Sequence, residues 1–255
     1  MVRELVKSTL FPVGGVHTVL WGPCRGIRYR VFPGFGHAYL YGGWERKSAM
    51  LMVQYVRPGD TAYDLGANYG MHTLLLAKLV GPTGRVYAFE PNPEILCALE
   101  EHVTLNRLTA VTTVQRAVSD EVGMAVFDRA HHRGAGHLVS ATTILSGPTF
   151  DVETTTLDEF VFSGGNAPPD FMKVDIEGAE SAALRGGHQV LERYRPILLI
   201  ELHNPAEDRA VGRILKDLGY GATRVESGEP VENMESGWPD RRGMWGSVLA
   251  VPTSA

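Results

Sequence analysis

The chain has 255 residues, 44% of them hydrophobic, enough for one well-packed α/β domain with appendages and short of what two full-sized domains would share. Its formal net charge is -5 and its cations are scattered, so no basic stripe offers the counterion-releasing footprint of a nucleic-acid binder. Cys24 and Cys97 make neither a metal spacing nor a disulfide framework, and no stretch is apolar for long enough to span a membrane, so a soluble, cytoplasmic chain with neither nucleic acid nor membrane as partner is expected.

Residues 1–56 read as an N-terminal cap. An acid, Pro12, a glycine pair and His17 interrupt "MVRELVKSTLFPVGGVHTVLW" before any signal-like core forms; a strand is expected near "GIRYRVF" and a helix through "RKSAMLMVQYV". From Thr61 onward short apolar runs alternate with segments of helical period, which marks a parallel sheet covered by helices, so residues 57–255 form the main domain. "TAYDL" is the first strand, "MHTLLLAKLV" a helix stopped by "GPTG", "RVYAFE" the second strand, and "PEILCALEEHVTLN" a helix with proline at its first turn. "VTTVQRAV" is the third strand. Residues 122–160 differ: "GMAVFDRA" and "FDVETTTLDEF" are strand-like around a polar, Gly-rich loop, a β-hairpin insertion. The alternation resumes with "DFMKVDIEG", a helix over "AESAALRGGHQVLERY", the strand "PILLIELH" and the helix "AVGRILKDLGY"; "ATRVES" and "GSVLAVP" then make a closing antiparallel pair. Internal repeats and low-complexity tracts are lacking.

In such a sheet ligands sit outside the carboxyl ends of the strands, where the strand order reverses. The residues to inspect are therefore Asp64, Gly66, Asn68 and Gly70 after the first strand, Glu90 after the second, Ser119 and Asp120 after the third, Asp175 and Glu177 after the fourth, and Glu201 and His203 after the fifth. Gly66 and Gly70 let the backbone turn sharply and come close to a ligand. Asp64 sits where it holds a cationic amine, directly or through water, and would repel a phosphate. Glu90 has two acceptor oxygens for the hydroxyls of a ribose, and Asp120 accepts from an adenine amino group. Amine, ribose and adenine without phosphate describe S-adenosylmethionine. A dinucleotide would need GxGxxG here, whereas the turn reads "GANYG", with asparagine where a second glycine would admit a pyrophosphate. A merely structural turn explains the glycines but not an acid at several consecutive strand ends.

With these residues in view, the sequence resembles the FkbM-type S-adenosylmethionine-dependent methyltransferases: "DLGANYG", "FEPNP", "AVSD", "TLDEF", "KVDIEGAE" and "IELH" stand in that family's order and approximate spacing, from about Tyr41 to Leu202, with "YGGWE" at the entry. The resemblance implies a class I methyltransferase (Rossmann-like) fold, a mostly parallel seven-stranded sheet with helices on both faces. It also implies methyl transfer, most often to a hydroxyl of a sugar, polyketide or related natural product. By that match Asp64, Gly66, Asn68, Gly70, Glu90, Ser119 and Asp120 are cofactor contacts, with Pro91 and His72 beside them and Trp44 and Glu45 closing over the site. A metal-dependent catechol-type enzyme, N-methylation, and a protein that binds adenosylmethionine without turnover are the alternatives, with a nucleotide-dependent oxidoreductase as a further class and a divalent metal kept open as a second cofactor.

An alcohol is a poor nucleophile until its proton is drawn away, by a carboxylate or histidine within reach or by a divalent metal. "KVDIEGAE" places Asp175 toward the methyl donor and acceptor, with Glu177 or His203 as base; the bland reading of Glu177 is a cap on the following helix. Asp175, Glu201 and His203 together offer oxygen and imidazole to a metal, as in catechol-type enzymes. Those enzymes place an adjacent acid and amide at the fifth strand, whereas this chain reads Glu, Leu, His, Asn, so no metal ligand is assigned. His131, His132 and His137 of "HHRGAGH" lack the cysteine or acid that closes a zinc site and are read as a substrate-side loop. Trp238, Trp245 and the pair Arg241 and Arg242 lie in a Pro- and Gly-rich stretch, where tryptophan either stacks on a sugar or anchors the loop.

Overall fold

A computed structural model of the chain describes residues 11–32, 40, 43, 45–129, 136–139, 145, 147–231 and 246–253. The expectations for Trp44, His131, His132, Trp238, Arg241, Arg242 and Trp245 lie outside these residues.

The main sheet begins with β3 (Thr61–Leu65), β4 (Arg85–Phe89) and β5 (Val111–Val114) and continues with β10 (Phe171–Val174), β11 (Ile197–Glu201), β12 (Tyr220–Arg224) and β13 (Ser247–Pro252). Its order is β12-β13-β11-β10-β3-β4-β5, and β13 alone runs against the rest. This is the mostly parallel seven-stranded sheet expected, its last two strands forming the closing antiparallel pair. All five residues of β3 and all four of β10 are buried, as central parallel strands covered on both faces must be. Between these two strands the direction of winding reverses, so their carboxyl ends open the crevice in which ligands of such sheets bind.

Helices cover both faces. On one, α1 (Arg46–Tyr55) and α2 (Met71–Val80) pack with the hairpin of β1 (Val16–Thr18) and β2 (Arg28–Arg30); Tyr29, Met52, Leu75, Ala62, Phe171 and Leu199 share this core. On the other, Tyr63, Met172, Leu198 and Ile200 meet α4 (Glu180–Gly186), α5 (His188–Tyr194) and α6 (Pro205–Asp217). The remaining helix, α3 (Pro93–Leu105), starts at Asn92, whose side chain accepts from Glu94 N, with Pro93 at the first turn; α6 starts the same way at Asn204 and Pro205. Each cap satisfies N–H groups that the first helical turn leaves orphaned.

Three elements depart from the sequence expectation for local reasons. "VTTVQRAV" is two strands, because the chain turns at Arg116, whose N–H donates to Val114 O; β6 (Ala117–Val118) then joins a second sheet. That sheet, β6-β9-β7-β8, is built from β7 (Gly123–Asp128), β8 (His137–Leu138) and β9 (Thr149–Thr155), and the long antiparallel β7–β9 pair is the hairpin insertion. The helix expected over "AESAALRGGHQVLERY" breaks at Gly186 and Gly187 into α4 and α5. Gly186 lies so close to the preceding strand end that a Cβ there would stand 2.1 Å from Ser119 O. "TLDEF" leaves β9 and coils into one π-helical turn, Glu159–Ser163.

Candidate active site

Strand parity decides which side chains meet at the crevice. Side chains alternate along a strand, so Asp64, Lys173 and Glu201 lie on the same sheet face as Ala62, Phe171 and Leu199, and β10 pairs with β3 with Lys173 opposite Asp64. The ammonium of Lys173 is fully buried and lies 3.1 Å from Asp175 Oδ2 and 3.5 Å from Glu201 Oε2. Burial opposes its charge, but the neighbouring carboxylates more than compensate and hold its pKa above the ordinary lysine value. On the same face His72, in the first turn of α2, contacts Glu45 at 3.2 Å. Burial disfavours the imidazolium there, and the carboxylate of Glu45 outweighs it, so the His72 pKa is raised.

A cavity of about 330 Å³ opens at the ends of β3, β4 and β10, lined among others by Gly66, Asn68, Glu90, Pro91, Asp175 and Glu177. Its far wall is Phe127 and Leu138 of the second sheet with Val118. Gly66 is required at its position: φ is +80°, and a Cβ would stand 1.9 Å from Asp175 O. Asn68, also at positive φ (50°), turns its N–H to Glu90 Oε2 at 2.9 Å, while Asn92 N donates to Glu90 Oε1 at 2.9 Å. Each oxygen of Glu90 thus has one backbone donor and keeps acceptor capacity for the cavity. Burial pushes the Glu90 pKa up to about 7 against those two hydrogen bonds.

The other half of the site is a cluster around His203. Its Nδ1 donates to Glu180 Oε1 at 2.9 Å, and its Nε2 faces Asp175 Oδ1 and Glu177 Oε2, each at 3.4 Å. Glu180 is fully buried in the first turn of α4 and also accepts from Gly178 N at 3.0 Å. Glu177 is held at φ 55°, a left-handed conformation that costs a non-glycine residue about 1–2 kcal/mol and that turns its side chain toward His203. Burial opposes a charged imidazole, yet the hydrogen bond to Glu180 and the charges of Glu177 and Glu180 carry the His203 pKa up to about 9. Burial likewise raises the pKa of Glu177, and it raises that of Glu201 to about 7.

Of the residues expected at the cofactor, Gly66, Asn68, Glu90, Pro91 and Asp175 line the cavity. Gly70 shapes the turn from behind, at φ +89° against Leu99. Asp64 is sealed beneath the turn, 1% exposed, and accepts from Thr73 Oγ1 at 2.5 Å, so the acid presented to the cavity at this junction is Asp175. Asp120 points elsewhere: its carboxylate takes the guanidinium of Arg185 at 2.9 Å, which lowers its pKa, and Ser119 Oγ donates to the same carboxylate. The chain reaches the cavity wall just before them, at Arg116, Ala117 and Val118. His72 pairs with Glu45 on the lysine side of the sheet, and Glu201 with Lys173. The set expected to be catalytic therefore divides, with Asp175, Glu177 and His203 in one cluster and Glu201 in the adjoining one.

The sequence profile of the methyltransferase FkbM domain matches residues 64–221, which takes in the whole crevice from Asp64 to β12. The chain belongs to the FkbM methyltransferase family. As such it is an S-adenosylmethionine-dependent methyltransferase. The hexuronic acid methyltransferase AglP of Haloferax volcanii is 26% identical over 174 residues, 68% of each chain. The 31-O-demethyl-FK506 methyltransferase FkbM of Streptomyces tacrolimicus is 28% identical over 206 residues, 69% of this chain and 77% of that one. Among solved structures, a protein described as a putative rRNA methylase from Clostridium thermocellum superposes with a TM-score of 0.52 at 13% identity over 81% of this chain and 93% of that one, a likeness of fold.

The cavity of this FkbM-family chain has features that fit the cofactor: a buried carboxylate with spare acceptor capacity, a glycine-lined turn, an apolar far wall and a second acid, Asp175. Lys173 and Glu180 are not singled out by the sequence as site residues, although both are letters of "KVDIEGAE". A lysine inside an apolar strand and an acid in the first turn after it are ordinarily solvated or capping, and only the pairing of β10 with β3 and β11 shows that both are buried beneath the site. The insertion residues Phe127 and Leu138 give no sequence signal at all, since alternation alone does not tell which ligand a sheet faces.

Proposed function

We propose that this enzyme is an O-methyltransferase that acts on a hydroxyl of a small metabolite, sugar or natural product. The observation that carries the reading is that Asp175 and Glu177 line the cavity with His203 beside both, an arrangement that activation of a weak oxygen nucleophile needs. The names of the relatives, a hexuronic acid methyltransferase and an enzyme acting on 31-O-demethyl-FK506, support an oxygen-rich acceptor of that kind.

S-adenosylmethionine, when bound, supplies the electrophilic methyl group. The protein's own share is to hold the nucleoside by Glu90 and the Gly66–Asn68 turn, to orient the acceptor and to take its proton. Glu177 is the base: it lines the cavity, burial raises its proton affinity, and Nδ1 of the neighbouring His203 is committed to Glu180. Asp175 pairs with Lys173 and faces the positive charge of the donor. The Phe127 and Leu138 wall keeps bulk water from the adenosyl end.

Incubation with labelled methyl donor and a panel of uronic acids, neutral sugars, macrolide alcohols and phenols tests the proposal. Transfer to a hydroxylated acceptor is expected, with about a 100-fold or greater fall in turnover for Glu177→Gln at unchanged donor affinity. Label appearing only on amines, or full turnover by Glu177→Gln, would refute the assignment.

A further inference from the structure

We propose that Asp175, Glu177 and His203 hold a divalent cation of the magnesium or manganese type, with His203 Nε2, Asp175 Oδ1 and Glu177 Oε2 as its ligands. Distances carry the argument. Imidazolium and carboxylate in direct charge-assisted contact stand about 2.7–2.9 Å apart. Here Nε2 stands 3.4 Å from both oxygens, and all three atoms lie within 4.8 Å of one another. Atoms that share an ion at about 2.0–2.2 Å are themselves separated by about 3.0–3.5 Å, so the spacing matches ligands around a common centre better than a bonded pair.

The surroundings of His203 have the same sense. Its Nδ1–H is fixed on Glu180, a carboxylate with no exposed surface, so Nε2 is the ring atom presented to the two acids, and an ion bound there would take the place of its proton. That is the carboxylate–histidine–metal arrangement by which outer carboxylates fix ring orientation and strengthen a ligand. Glu180 Oε2 has no hydrogen-bond partner among the described residues, and the buried carboxyl of Asp208 also feels the charge of Glu180. A second constellation, Glu45, Asp175 and Glu201, also has ligand spacing, but a cation already occupies it: the ammonium of Lys173, at 3.1 and 3.5 Å from two of the three. Asp175 divides its oxygens accordingly, Oδ2 to Lys173 and Oδ1 to the His203 side. The oxygen-rich set with a single imidazole favours a hard ion over zinc, and water or the acceptor hydroxyl would complete its shell. This inference rests on the O-methyltransferase reading for its use, because an ion there lowers the pKa of a bound hydroxyl, and Glu177 Oε1 remains to take the proton.

The test is manganese binding, read by electron paramagnetic resonance and calorimetry on metal-stripped full-length protein, with adenosylmethionine titrated separately. Binding of one ion per chain is expected. His203→Ala and Glu177→Gln should each weaken it at least about 10-fold, and Glu180→Ala about 10- to 100-fold, with Glu180→Gln recovering most of the loss because the amide oxygen still accepts from Nδ1. Circular dichroism of each variant establishes that the fold persists; Glu177→Gln, an isosteric change at a part-exposed side chain, serves if His203→Ala does not fold. No saturable manganese binding by the wild type up to millimolar ion, or binding untouched by Glu177→Gln and Glu180→Ala, overturns the proposal. Adenosylmethionine binding and chelator-resistant methyl transfer in the same samples would then leave the O-methyltransferase reading standing. Ion binding without adenosylmethionine binding would do the reverse.

Discussion

Glu90→Gln separates what this carboxylate does for the fold from what it does for the ligand. The side chain is 6% exposed, and burial holds its pKa near 7 despite two backbone donors. Because the folded pKa lies above the unfolded one, the native state binds more protons than the unfolded chain between about pH 4.5 and 7; stability from this group is full below that window and is lost as pH rises through it. Between pH 5 and pH 8 the loss is about 2–3 kcal/mol, since each pH step of one inside the window removes about 1.4 kcal/mol. Glutamine does not titrate. Its amide stands in for the neutral, protonated carboxyl, which likewise turns a donor toward one of the two N–H groups. At pH 5, where Glu90 is itself protonated, the variant without ligand should unfold in urea close to the wild type, whereas at pH 8 it should be about 2–3 kcal/mol more stable. Affinity for adenosylmethionine at pH 8, measured by calorimetry, should fall about 10- to 100-fold, since the ribose hydroxyls lose an ionised acceptor. A variant that binds the cofactor as tightly as the wild type would break the link between Glu90 and the ribose. A wild-type minus variant difference that does not change from pH 5 to pH 8 would remove its buried carboxylate from the energetics.

Asp120→Asn should leave adenosylmethionine affinity within about 3-fold and stability within about 1 kcal/mol, because the side chain spends itself on an exposed pair with Arg185; a larger loss of affinity in calorimetry would return Asp120 to the adenine. Lys173→Met should destabilise the protein by about 3 kcal/mol in urea at pH 8, since two carboxylates lose the buried ammonium between them. If the variant instead unfolds at the wild-type urea concentration, the lysine is not what keeps Asp175 and Glu201 together.

The fold was legible because its signals are local. Proline after asparagine starts α3 and α6, glycines stop α2 and break α4 from α5, and continuous apolar runs mark strands buried on both faces. What the sequence misplaced depends on contacts between distant segments. Asp64 and Asp120 stand at strand ends as expected, but Thr73 and Arg185, on helices nine and 65 positions away, claim their carboxylates. The strand-end rule names candidates and does not say which of them face the ligand. That is settled by which partner a carboxylate finds first.

The same reasoning explains why so many ionisable groups tolerate burial here. A carboxylate taken from water without a partner would take up a proton instead. Along this crevice Lys173 serves Asp175 and Glu201, His72 serves Glu45, and backbone N–H groups serve Glu90. Among the described residues, His203 is the cationic-capable group in direct contact with Asp175, Glu177 and Glu180. Asp175 is shared between the two clusters, Oδ2 with Lys173 and Oδ1 on the His203 side, so His203 meets Glu177 and Glu180 together with one oxygen of an acid that Lys173 already serves. On the proposed function the chemistry lies at the Asp175–Glu177 edge, and the contacts of Lys173 with Asp175 and Glu201 hold Asp175 in position.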